Sequence, residues 1–155
     1  MRYTYKSVVL SVVVLMALSR LPVFAVTELD VRTLVKDSSA FAFDLYQALC
    51  ASDSNIFLSP YSISTALAMK YAGARGNTEK QMARTLRFSL DQKHLHPAFA
   101  EFESKLNKLQ KCSRVQLSIA NSLWPQRDYK FLNEYLYLIK HYYGISITSV
   151  DYNLN

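Results

Sequence analysis

The sequence predicts an α+β domain. Two kinds of periodicity carry that prediction. Apolar residues recur at three- and four-residue steps over several long stretches, the spacing of a helix face, and shorter runs alternate with period two, the spacing of a strand. Half of the 155 residues are hydrophobic. That is enough to fill a core and too much for a disordered chain, and the length suits one domain.

In chain order, the first segment reads as a leader. Arg2 and Lys6 form a basic start, Ser7 to Leu18 is apolar, and Val23 and Ala25 flank a cleavage position. Arg20 ends the apolar run short of the ~20 residues a membrane span needs. Residues 1–25 are therefore expected to be a secretory signal peptide, with a mature chain from about Val26 in the extracellular space.

Leu34, Phe41, Leu45 and Leu49 then share one helical face over about residues 29–50. Ala51 to Ser54 is a polar turn, and Asn55 to Leu58 reads as a short buried strand. Ser59-Pro60 marks a helix start. The serine suits the N-cap, and the proline suits the first helical position, where its missing N–H costs nothing. Ile63, Ala66, Leu67 and Tyr71 continue that helix, and Gly73 and Gly76 end it. Thr78 and Gln81 have capping-box spacing for a short helix to about Leu86. Ser89 to His96 reads as loop. From Pro97, the residues Phe99, Phe102, Leu106 and Leu109 mark another helical face. Val115 to Leu123 alternates as a strand. Phe131, Tyr135, Leu138 and Tyr142 mark the last helix, stopped by Gly144, and Ile145 to Tyr152 is a further strand. No hairpin partner for either strand is visible in the sequence.

Composition excludes several functions. The formal charge of +6 falls to +3 once the leader's three basic residues are set aside, which is no footprint for nucleic acid. Three scattered glycines cannot build a phosphate-cradling loop. No Gly-x-Ser-x-Gly elbow is present, so an enzyme is not expected. His94 and His96 lack further ligands at metal spacing, so no metal and no cofactor are expected. His141 reads as a polar-face residue, and Tyr135, Tyr137, Tyr142 and Tyr143 as packing. The sequence contains no Asn-x-Ser/Thr acceptor, and it leaves open whether Cys50 and Cys112 pair.

An ordered set of segments resembles the serpin family from about Leu29 to Asp151. The segments are Phe41-Ala-Phe-Asp-Leu-Tyr46, Asn55-Ile-Phe-Leu-Ser-Pro-Tyr-Ser-Ile63, Ala66 to Gly73, Gly76-Asn-Thr78, Met82-Ala-Arg-Thr-Leu86, Ala120-Asn-Ser-Leu-Trp124 and Ile145 to Asp151. The resemblance implies that residues 26–155 are the N-terminal part of a serpin domain, helices A to E with strands of the central sheet. It implies inhibition of a serine protease by insertion of a cleaved bait loop into that sheet. Ser59, Pro60 and Ser62 match the family's shutter, where the sheet parts. The hydroxyls there can exchange hydrogen-bond partners between the two arrangements. The reactive bond of such an inhibitor lies far beyond the matched segments. This chain is accordingly expected to be a fragment that does not inhibit by itself.

Lys105, Lys108, Lys111 and Arg114 follow at three-residue steps and form a candidate glycosaminoglycan site, with a heparin-like polysaccharide as partner. A solvated helix face explains the same spacing. The alternatives to an inhibitor are a non-inhibitory serpin, either hormone carrier or chaperone, and an extracellular glycosaminoglycan-binding module.

Overall fold

The computed structural model describes residues 26–50, 55–112 and 119–153. Five helices make up most of them: α1 (Glu28–Leu49), α2 (Pro60–Tyr71), α3 (Gly76–Thr85), α4 (Gln92–Cys112) and α5 (Asn133–Tyr143). The expected leader and the polar turn at 51–54 lie outside the described residues.

α1 starts where its apolar face begins. The Thr27 hydroxyl accepts from the Asp30 N–H at 3.1 Å, and Asp30 Oδ2 accepts from the Thr27 N–H at 2.8 Å. This is a reciprocal cap, and it also holds the Asp30 carboxyl below its ordinary pKa. The capping box expected at Thr78 does not form. Gly76, at φ 61°, reverses the chain early, so α3 starts at Gly76 after an uncapped Arg75. α4 likewise starts five residues before Pro97. Asp91 Oδ1 accepts from the His94 N–H at 3.1 Å, and the helix runs on through the proline in its second turn. A proline so near a helix start removes few backbone bonds.

α1 and α4 are antiparallel. Glu28 at the start of α1 pairs with Lys105, whereas Asp37 in its middle accepts from Ser89 N–H at 2.8 Å and Ser89 Oγ at 2.6 Å. Asp44, further along, pairs with Arg87 at 2.6 Å. Cys50 therefore lies beyond one end of the pair and Cys112 at the other, roughly 30 Å apart for helices of this length. Cys50 is free and exposed. α2 is antiparallel to α4 as well, with Tyr61 edge-on to Phe102 at 5.6 Å and Tyr71 beside His96 at 6.3 Å.

The core gathers Leu34 and Phe41 of α1, Ala68, Met69 and Tyr71 of α2, Leu95, Ala98 and Phe99 of α4, and Ile139 and Tyr143 of α5, with Leu86 and Phe88 from the turn between α3 and α4. At that turn Arg87 adopts φ 61°, a left-handed conformation rare for a residue with a side chain. It lets the Phe88 N–H reach back to the Ala83 carbonyl at 2.9 Å, which closes α3.

The strands depart most from expectation. Asn55 to Leu58 forms no strand with a partner among the described residues, and Phe57 is fully exposed. Residues 113–118 of the expected strand lie outside the described residues. Its end runs parallel to the segment after α5 through two isolated bridges, Leu123 to Ile147 and Gln126 to Val150. Thr148 and Val150 donate to the Leu123 and Pro125 carbonyls at 3.1 and 2.9 Å, and Arg127 donates to the Val150 carbonyl at 2.9 Å. The two segments are each other's partner, joined by α5 as crossover. A parallel pair leaves no hairpin signal in sequence. The described residues are thus mostly helical, and the full α+β expectation is not reached in them.

Candidate functional site

The start of α2 carries the three shutter candidates. Ser59 sits at the N-cap in an extended conformation, φ −112° and ψ 97°, and Pro60 follows at the first helical position, as its ring requires. The Ser59 hydroxyl accepts from the Ser62 N–H at 3.4 Å and donates to Ser62 Oγ at 3.0 Å. So the two serines bond to each other across one turn. Ser59 is exposed and Ser62 half-buried.

The deeply buried hydroxyls, Ser64 and Thr65, lie two and three positions beyond Ser62. Thr65 donates to the Tyr61 carbonyl at 2.9 Å, satisfying itself within the helix. Ser64 is fully buried, and its Oγ has no partner among the described residues. An unsatisfied buried hydroxyl is costly, so Ser64 joins Ser59, Pro60 and Ser62 as a candidate. In the sequence Ser64 is only one of several small residues of this helix, and nothing there marks its missing partner.

His96, read from sequence as loop, is a buried α4 residue. Its Nδ1 bonds to the Tyr143 hydroxyl at 2.7 Å, and its Nε2 has no partner among the described residues. Desolvation, with a smaller contribution from the Arg75 charge, lowers its pKa to about 4. His94 bonds to Asp91 at 2.7 Å, and His141 stacks on Tyr137 at 5.4 Å. Among the described residues no three His, Cys, Asp or Glu side chains gather as for a metal ion.

Only part of the basic stripe falls among the described side chains. Lys105 turns to Glu28 of α1 in a short ion pair that lowers the Glu28 pKa, so its charge is already matched. Lys108 is exposed. Lys111 is described only as helix backbone, and Arg114 lies outside the described residues.

Comparison with known proteins places the chain in a family. The family described as Serpin (serine protease inhibitor) matches residues 36–155. The leukocyte elastase inhibitor of Sus scrofa is 42% identical over 118 residues, 74% of this chain and 30% of the relative. The human leukocyte elastase inhibitor is 37% identical over 117 residues, again 74% and 30%. An uncharacterised serpin-like protein of Thermococcus kodakarensis is 38% identical over 124 residues, 80% of this chain and 29% of the relative. The chain belongs to the serpin family. It spans about 30% of the length of these relatives.

These relatives correct one expectation. The leukocyte elastase inhibitors are serpins of the intracellular type without a signal peptide, so the secreted, extracellular localisation expected from residues 1–25 is not supported. A short basic and apolar start satisfies the composition rule for a leader, and composition alone cannot establish export.

Proposed function

We propose that the protein inhibits a serine protease, and that the start of α2 is its shutter. The observation that carries the reading is the Ser59–Ser62 hydroxyl pair beside the orphaned Ser64 hydroxyl. Capping needs one serine. Three hydroxyls within six residues, one buried without a partner among the described residues, suit a helix end over which other backbone can lie and change its bonds. The relatives named for inhibition of leukocyte elastase make an elastase-type serine protease the first target to try. The family's description as inhibitors agrees with a chain that is not an enzyme.

The test is complex formation. The protein at the full length of its relatives, mixed with neutrophil elastase, should give a covalent complex that survives denaturing electrophoresis. The 155-residue chain should give none. Ser59→Ala and Ser62→Ala in the full-length protein should raise the number of inhibitor molecules consumed per protease. Cleavage of the full-length protein without complex, by elastase and by chymotrypsin- and trypsin-type proteases alike, would sink the inhibitory reading.

A further inference from the structure

A cleft of about 490 Å³ opens between the C-terminal end of α2, the outer face of α3 and the segment leading into α5. That volume lies within the range of small-ligand sites. One wall is aromatic. The rings of Tyr129 and Phe131 lie 4.7 Å apart, and those of Phe131 and Tyr135 lie 5.6 Å apart and within 18° of parallel. Met82 lines the cleft from α3.

The charge in the cleft has one sign. Lys70, in the last turn of α2, and Lys130, between the two aromatic residues, both line it, and no Asp or Glu does. Neither ammonium pairs with a carboxylate among the described residues. Lys105, the basic residue that stands out in the sequence, is by contrast neutralised by Glu28. Two lysines 60 positions apart in sequence are thus brought to one apolar cleft without a counter-charge among the described residues, a setting that favours an anion.

We propose that this cleft binds a flat aromatic anion, a one- or two-ring carboxylate or sulfonate. Its face lies along the Phe131–Tyr135 wall, and its acid group meets the Lys70 and Lys130 ammonium groups. Ring stacking supplies the orientation. The paired cations discriminate against a neutral ring of the same shape, and that discrimination weakens with salt. This site is separate from the start of α2, and the proposal does not rest on protease inhibition.

The probe is 2-naphthalenesulfonate, titrated into the intact protein by calorimetry, with 2-naphthalenemethanol as its uncharged counterpart. The sulfonate should saturate one site and bind at least about fivefold more tightly than the alcohol, the size expected of partly exposed ion pairs. Lys70→Gln with Lys130→Gln should abolish that difference, as should high salt. Phe131→Ala should weaken both compounds about tenfold. If Phe131→Ala lowers the melting temperature so far that its binding cannot be read, the lysine pair decides, because both side chains are exposed. Equal affinity for the two compounds, binding that survives the double lysine substitution, or no saturable binding at millimolar sulfonate would each overturn the proposal.

Discussion

The helical body and the extended segments of this chain obey different rules. Each helix satisfies its own backbone and needs neighbours only for its apolar face, which α1, α2, α4 and α5 supply to one another. The extended segments cannot close their hydrogen bonds alone. Leu123 to Gln126 finds a partner in Ile147 to Val150, held by two bridges, whereas Asn55 to Leu58 finds none among the described residues and leaves Phe57 in solvent. Autonomy in this part of the fold therefore belongs to the helices, and the extended segments depend on other backbone to complete them.

The sharpest way to break that contrast is to cut a ring from each region. Phe99 is buried between Phe88 and Tyr143, at ring distances of 6.1 and 5.8 Å. Phe99→Ala should cost about 3–5 kcal/mol, enough to unfold a marginal body. Phe57→Ser should change stability by under about 0.5 kcal/mol and reduce self-association of the chain, because it removes an exposed ring from an unpaired edge. Chemical denaturation and light scattering read the two effects. Comparable destabilisation by both would mean that the segment before α2 is packed in solution.

The next effect comes from the body's one buried imidazole. His96 is faced by Tyr143 from α5 and Tyr71 from α2, with the Arg75 charge near enough to oppose protonation. Its folded pKa, about 4, lies below the 6.5 of a free histidine. The unfolded chain therefore binds the extra proton first as pH falls. The associated stability is present in full above pH ~6.5 and is lost progressively down to pH ~4, by about 3 kcal/mol. Carboxylates held low by partners, such as Asp91 beside His94 and Asp44 beside Arg87, act in a more acidic window. Replacing the pair together, His96→Phe with Tyr143→Phe, should flatten the slope of unfolding free energy between pH 4 and 6.5. A slope unchanged in the double variant would assign it to other groups.

What could be read in advance follows the same division. The apolar spacing of Leu34, Phe41 and Leu45 located α1, and Ser59-Pro60 located the start of α2, because both signals are local. Boundaries failed where a competing local feature won. Gly76 turned the chain before Thr78 could cap, and Asp91 started α4 ahead of Pro97. Pairing failed for a different reason: a parallel bridge across a crossover helix leaves nothing in the sequence next to either strand. At the site, Ser59 was legible as a cap, and Ser62 only through the family resemblance. The orphaned hydroxyl of Ser64 was not, since a missing partner shows only in three dimensions. The same holds for Lys105, whose partner is 77 residues away in sequence.

The smallest test concerns the turn that joins α3 to α4. Arg87 occupies the left-handed region at φ 61°, where a side chain costs up to about 1 kcal/mol and glycine costs nothing. Its guanidinium Nε donates to Asp44 Oδ2 at 2.6 Å, tying the turn to α1 and holding the Asp44 carboxyl below its usual range. Both side chains are about half exposed, so screening by water keeps the pair weak. Backbone relief and lost pairing then nearly cancel in Arg87→Gly, and the melting temperature should move by only a few degrees in either direction. Arg87→Ala keeps the strained backbone and loses the pair, so it must melt below Arg87→Gly. If the alanine variant is instead as stable as wild type, the pair contributes nothing. The helical body would then close this turn through the Phe88 N–H and the buried Phe88 ring alone.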